Sequence, residues 1–294
     1  MDNVREVESA PHEALFFSLR YLSLPDLLTI QRVCKSFREA INGDPLIWRS
    51  IRVENPISRN LRDDYLLKLT AKAQGQLTSL TLVGCWRITE DGLLQVIRSN
   101  PFITKLCVPG CTCLSPGGLV KLVEGGGLPR LRHLSLHGLY NITHEHLHRL
   151  NSLLSPRNQP LSQRSRRRLY GVQNMAITDG NEDTHQSLDI EICPKCKGTR
   201  LVFDCPRDGS SHECRGCIFC IPRCEECGQC LCPDEIEMTF CADLLCPPCW
   251  LNLPKCLLCN RPGCARHAGP HARSPGAHFV CESCHYHQTS LLLC

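Results

Sequence analysis

Cysteine placement constrains this chain more than any other feature. Of its 24 cysteines, eighteen fall in the 92 residues from Cys193 to Cys284. Twelve of these form six C-x-x-C pairs: Cys193/Cys196, Cys217/Cys220, Cys224/Cys227, Cys246/Cys249, Cys256/Cys259 and Cys281/Cys284. Two residues between thiols let one tight turn present both sulfurs to a tetrahedral ion at about 2.3 Å. One such pair is weak evidence; six in so short a stretch are strong. Cys205, Cys214, Cys230, Cys232, Cys241, Cys264 and His267 are further candidate ligands, with His212, His285 and His287 close by. Two pairs fill one four-ligand site, so three sites are the floor, and the remaining candidates extend that to four or five. Spacing does not decide which pairs combine. Sequential and interleaved arrangements are both open, since Cys214 competes with Cys220 for Cys217, and Cys230 with Cys224 for Cys227.

Metal thiolates are expected here rather than disulfides. The first residues, MDNVREVESAPHE, are acidic and polar and lack the basic and apolar regions of a secretory signal, so nothing routes the chain to an oxidising compartment. No run approaches the 18 or more consecutive apolar residues of a membrane span, so no membrane partner is expected. Aromatic residues make up only 5% of the chain, too few for one large aromatic core. Zinc fits the thiolate pattern, and each structural zinc contributes on the order of 10–16 kcal/mol of apparent folding free energy in small modules.

Residues 11–51 read as a compact helical unit. Leu15, Phe16, Leu19 and Leu22 recur at helical spacing. Pro25 suits a first helical position and Asp26 complements the positive end of a second helix. From there Leu27, Ile30, Cys34, Phe37 and Ile41 step by three and four, which predicts one continuous helix with Cys34 on its core face. Asn42-Gly43-Asp44-Pro45 stops it, and Leu46-Ile47-Trp48 closes the unit. Some 40 residues are at the lower limit for burying their own apolar surface, so a partner could supply the missing cover.

Residues 52–150 carry an internal repeat. Leu77-x-x-Leu80-x-Leu82-x-Gly84-Cys85 is followed by Ile103-x-x-Leu106-x-Val108-x-Gly110-Cys111 and then by Leu131-x-x-Leu134-x-Leu136-x-Gly138. The anchors at 80, 106 and 134 lie 26 and 28 residues apart, and Ile51-x-Val53 reads as a degenerate earlier copy. Helix-like stretches, Gly92–Ile97 and Gly118–Val123, fall between anchors. A strand-then-helix period of 20–29 residues is the leucine-rich-repeat signature, and such units bury their faces only against neighbours. Cys85 and Cys111 follow the strands as small buried packing residues. His144, His146 and His148 would spread around a helix surface rather than ligate. Gly125-Gly126-Gly127 is a turn.

Residues 1–10 are expected to be a flexible N-terminus, 151–190 a linker and 191–294 the Cys-rich domain. Within the linker, Arg164–Arg168 is a basic run compatible with nuclear import or nucleic acid and equally with a solvated loop. The net charge of +4 demands neither. The chain offers no Gly-rich phosphate loop, no G-x-S-x-G and no H-E-x-x-H, and cysteines at knuckle spacing are committed as ligands, so no active site is legible.

PHEALFFSLRYLSLPDLLTIQRVCKSFREAINGDPLIWRSI resembles an F-box. Pro11 and Glu13 match its opening, Leu22 the end of its first helix, and Asp26-Leu27 the start of its second. Val33-Cys34-Lys35 with Phe37-Arg38 matches V-C-[KR]-x-[WF]-[KR], and Leu46-x-Trp48 the closing L-W with Ile47 inserted. Ala10 and Ser18 depart from the usual Leu and Ile. The repeats, including Ile88-Thr89-Glu90-Asp91-Gly92-Leu93, resemble the cysteine-containing repeats that follow F-boxes. With the Cys-rich end (CPKC, RLVFDCP, FCADLLCPPCW), the whole order is similar to that of plant Skp-interacting F-box proteins.

The resemblance implies an α+β multidomain chain: an N-terminal helical F-box, a short α/β leucine-rich-repeat solenoid and a C-terminal zinc-stabilised, loop-rich domain. It further implies a non-catalytic substrate receptor of an SCF-type ubiquitin ligase, in the nucleus or cytoplasm. Such a receptor docks on a Skp-family adaptor, and through it on a cullin, while holding a protein target. Pro11, Leu15, Leu22, Leu27, Val33, Phe37 and Trp48 would supply the apolar surface, some facing the adaptor and some the fold's own core. Three other readings compete: a RING-like ligase acting through the Cys-rich domain, which lacks the C-x-H-x-x-C centre; a zinc-ribbon nucleic-acid binder; and an adaptor-bound scaffold without turnover.

Overall fold

The computed structural model describes residues 13–155, 168–170, 187–206, 214–263 and 279–291. These form two compact units, one from 13–155 with 187–190, the other from 168–170, 191–206, 214–263 and 279–291.

The first unit opens with α1 (Glu13–Ser18), a 3-10 turn at Leu19–Tyr21, α2 (Leu24–Ile30), α3 (Lys35–Gly43) and a 3-10 turn at Pro45–Trp48. Ser23 caps α2, accepting from the Asp26 N–H, with Pro25 in the first turn where no N–H is needed. The single helix expected from Leu27 to Ile41 is two. Cys34 is extended (φ −150°, ψ 165°) as the N-cap of α3, and Arg38 Nε donates to Gln31 O at 3.1 Å across the break. Helical spacing of the apolar residues survived because both helices pack on one core. Trp48 fills that core, its Nε1 donating to Ile41 O at 2.8 Å, and the Phe16 and Phe37 ring centroids lie 5.4 Å apart.

Four strands follow: β1 (Ser50–Val53), β2 (Ser79–Leu82), β3 (Lys105–Cys107) and β4 (His133–Ser135). They pair in parallel in chain order. The register aligns Ile51, Leu80, Leu106 and Leu134, the four positions spaced by the repeat. After each strand comes a helix: α4 (Asp63–Ala71), α5 (Glu90–Ser99), α6 (Pro116–Glu124) and α7 (His144–Leu154). The connections after β2, β3 and β4 each carry the repeat glycine, and the one after β1 has none. Gly84, Gly110 and Gly138 all adopt positive φ, and a Cβ on Gly138 would crowd the Gly110 backbone nitrogen at 3.1 Å. Leu80, Leu82, Val96, Leu106, Leu134 and Leu150 are fully buried in one continuous apolar cluster, with Cys85 and Cys111 among them.

The repeats are also cross-linked by polar contacts. Asp63 accepts from the backbone N–H and hydroxyl of Thr89, the N-cap of α5, and Glu90 does the same for Ser115, the N-cap of α6. The N3 residues are Gly92 and Gly118, where a Cβ would overlap the Asp63 and Glu90 carboxylates. No acid occupies the equivalent place before α7. There His146 stands at N3 and caps Thr143 itself, its Nδ1 accepting the Thr143 N–H.

Ser187–Ile190, expected in the linker, belong to this unit. Leu188 bridges Leu134 in parallel, extending the sheet beyond β4. Asp189, buried, accepts from the Leu136 N–H (2.7 Å), the Ser135 hydroxyl (2.6 Å) and the His137 N–H (3.1 Å), and its Oδ2 lies 2.7 Å from His137 Nδ1. Burial alone would raise this carboxyl, but these donors outweigh it and hold it below the ordinary value of 3.8.

The second unit has little regular structure: two-stranded ladders, β5 (Glu191–Ile192) with β6 (Thr199–Arg200) and β7 (Glu237–Met238) with β8 (Leu244–Leu245), and helices at Pro247–Asn252 and Glu282–Leu291. Its apolar clusters are small and include cysteines themselves. Among the described residues no helix is long and apolar enough to cross a membrane.

Candidate metal centres and an exposed apolar helix face

One local device recurs three times in the second unit. At Cys193, Cys224 and Cys256 the N–H donates to the carbonyl five residues on, at Gly198, Gln229 and Arg261 (2.8–2.9 Å). Each cysteine carbonyl accepts from the residue four on, at Lys197, Gly228 and Asn260. Those three residues carry the left-handed turn, with φ of 58°, 74° and 56°. Gly and Asn tolerate that conformation readily; Lys197 is the uncommon one. The second pair of each set begins a helical turn instead. Cys217 O accepts from Cys220 and Ile221, Cys246 is the N-cap of Pro247–Asn252, and Cys281 O accepts from His285 in the last helix.

These devices combine sequentially, which settles the pairing that spacing left open. The groups are Cys193/Cys196/Cys217/Cys220, Cys224/Cys227/Cys246/Cys249 and Cys256/Cys259/Cys281/Cys284, each with its sulfurs within 4.8 Å of one another. Across each group the sulfurs stand 3.9 Å (Cys196–Cys217), 3.7 Å (Cys227–Cys246) and 3.8 Å (Cys259–Cys281) apart. Four sulfurs at about 2.3 Å from one tetrahedral ion are separated by about 3.8 Å. None of the described cysteines is in a disulfide.

The electrostatics of the donor sets fit a cation. At Cys193 desolvation opposes ionisation, but the N–H groups of Cys196, Cys217 and Lys195 outweigh it and lower the thiol to about 6; Cys256 behaves alike. At the other end of those groups, hydrogen bonding to Cys217 and Cys281 pushes Cys220 and Cys284 up to about 12. One thiolate resists the next, so a group ionises fully only around positive charge. Each tetrathiolate could therefore hold a metal ion.

A fourth group, Cys205, Cys214 and Cys230, has three members. Cys232, at the start of a 3-10 turn, and Cys241 lie in none of the groups. Cys264, His267 and His212 fall outside the described residues, as do Pro11 and Arg164–Arg167 of the basic run.

The N-terminal helices divide their apolar side chains sharply. Leu27, Phe37 and Trp48 are core, at 6%, 8% and 1% exposure, and Leu22 is half-buried against them. Leu15 and Val33 are exposed, and so are Phe17 (71%), Tyr21, Leu28 and Leu46. Sequence periodicity missed these last four because it assigned one core stripe to each helix. The available signal was the spacing of four between Phe17 and Tyr21, which runs from α1 into the following 3-10 turn.

Residues 9–54 match the F-box-like family, and residues 189–258 match the family described as At3g27290 F-box protein C-terminal domain. F-box protein SKIP28 of Arabidopsis thaliana is 35% identical over 293 residues, covering 94% of this chain and 90% of that protein. The chain belongs to the F-box protein family. F-box protein SKIP14 of the same plant is 36% identical over 265 residues, covering 87% of this chain; the chain spans 58% of that relative's length. The exposed apolar residues thus lie within the matched F-box-like region, and the first two four-cysteine groups lie within the matched C-terminal domain.

Proposed function

We propose that this F-box protein is the substrate-recognition subunit of an SCF-type, cullin-based ubiquitin ligase, acting in the nucleus or cytoplasm. The F-box docks on a Skp-family adaptor. The strand–helix units form a short leucine-rich-repeat stack which, with a zinc-bound Cys-rich domain, holds a protein target. The protein contributes proximity and orientation to a reaction whose catalytic groups lie on other subunits. Zinc, when bound at the three tetrathiolate groups, supplies cross-links that fix the loops carrying them.

The observation that carries this reading is the solvent-facing set Leu15, Phe17, Tyr21, Leu28, Val33 and Leu46 within the matched F-box. Exposed apolar side chains gathered in so small a module mark an interaction surface. Each large side chain buried there contributes roughly 1.5–3 kcal/mol. The test is co-expression with a Skp-family adaptor followed by gel filtration. Wild type should elute as a 1:1 complex, whereas Phe17→Asp and Val33→Asp should elute free yet folded. Phe37→Asp is a poor probe, because it places a charge in the module's own core. Retained binding in both exposed-face variants would refute the docking surface. A chain ending after Ile190, which keeps the Asp189 clamp, assigns target capture: undiminished capture would place recognition in the repeats alone.

A further inference from the structure

We infer that Cys205, Cys214 and Cys230 hold a metal ion of their own, a zinc-class divalent cation that clamps the first tetrathiolate group to the second. The inference rests on the zinc reading of the tetrathiolate groups and adds a site of different composition and purpose.

Cys205 and Cys214 lie in the stretch between the two pairs of the first group, and Cys230 follows the first pair of the second. Chain connectivity alone does not bring them together. Yet Cys230 Sγ lies 3.9 Å from Cys205 Sγ and 3.8 Å from Cys214 Sγ, the separations found across the tetrathiolates. They are too long for a disulfide and match the tetrahedral edge of about 3.8 Å. Among the described residues, no other sulfur, imidazole or carboxylate joins the three.

Arg223 supplies the second observation. It is 3% exposed and bridges to Cys230 across an antiparallel pair. Its guanidinium donates to the carbonyls of Cys214 (2.6 Å), Phe203 (2.8 Å), Asp204 (3.1 Å) and Gly228 (3.4 Å), which gathers the segments that carry the three cysteines. Its buried Nε finds no acceptor among the described residues. Burying a guanidinium is costly unless its charge is met. Its electrostatic partners here are the three sulfurs and Asp204, the latter also contacted by Arg215 Nε at 3.3 Å. Three thiolates around a divalent cation carry a net charge of −1, and Arg223 brings the assembly to neutrality. Neutral thiols would leave its charge to Asp204, which Arg215 also contacts. Binding releases up to three thiol protons to solvent and changes no oxidation state.

The experiment is zinc counting by native mass spectrometry on the full chain, co-expressed with a Skp-family adaptor in zinc-supplemented medium. Cys214→Ser should carry one zinc fewer than wild type. Cys214→His should restore it, since imidazole replaces thiolate as a ligand. Equal zinc in wild type and Cys214→Ser would overturn the fourth site and leave the tetrathiolate reading intact. A wild-type chain without zinc would overturn the reading beneath it. Should Cys214→Ser fail to fold, stepwise chelation of the wild type replaces it: one ion leaving in a separate early step supports the site, and a single concerted release overturns it.

Discussion

The two units of this chain are held together by different chemistry. In the first, apolar side chains spaced by the repeat meet in one continuous cluster from Leu19 to Ile190, and polar links such as Asp63–Thr89 and Glu90–Ser115 fix neighbouring repeats. In the second, the apolar clusters are little more than Cys224, Leu231, Leu245 and Cys246 at one place and Cys193, Val202 and Cys217 at another. There cysteines of the candidate metal groups are themselves part of the core. The lesson is that a loop-rich segment can reach a defined structure when a few strong bonds replace many weak contacts. If zinc fills these groups, the second unit's stability should depend on metal where the first unit's does not.

The largest expected effect comes from breaking one tetrathiolate. Cys246→Ser removes one sulfur of the second group while leaving a good N-cap for the helix at Pro247–Asn252, and should cost much of the ~10–16 kcal/mol apparent contribution of zinc at that site. Limited proteolysis should show cleavage across 224–252 while the first unit resists. The counterpart in the first unit is Leu80→Ala, at a fully buried position shared by three strands. It should cost about 2–5 kcal/mol in denaturant melts and leave zinc content unchanged. Linked loss of zinc would show that the units do not fold independently.

Asp189→Asn should cost about 2 kcal/mol, because hydrogen bonds to a carboxylate are replaced by weaker ones. The pH dependence has a defined sign. A carboxyl held below 3.8 contributes stability that is present at neutral pH and is lost as pH falls through its depressed value. Wild type should therefore lose first-unit stability in that acid range more steeply than Asp189→Asn. The smallest effect expected is Gly118→Ala. It displaces the Glu90 carboxylate from Ser115 and should cost about 1 kcal/mol despite alanine's better helix propensity.

The legible parts of the sequence were those with a period. Leu80, Leu106 and Leu134 announced the strands and their register, and even the degenerate Ile51 pairs where its spacing put it. The C-x-x-C pairs announced candidate ligands but not their partners, because pairing depends on how the loops between them fold. The break at Cys34 was hidden, since Leu27 and Phe37 keep helical spacing across two helices that share one core. Ser187–Ile190 read as linker because four residues carry no period, and only tertiary contact with β4 reveals their role. The cap ladder was present as Asp63, Glu90, Gly92 and Gly118, yet no local rule links an acid to a cap one repeat away.

The measurement that tests the contrast most directly is hydrogen exchange on the full chain, with and without a zinc chelator. Removing metal should strip protection from amides within 191–263, including the Cys193, Cys224 and Cys256 N–H groups, while the strands and helices at Leu66, Val96, Leu106 and Leu134 keep theirs. Persisting protection at those cysteines after complete metal removal would contradict the account, and so would simultaneous loss of protection in both units.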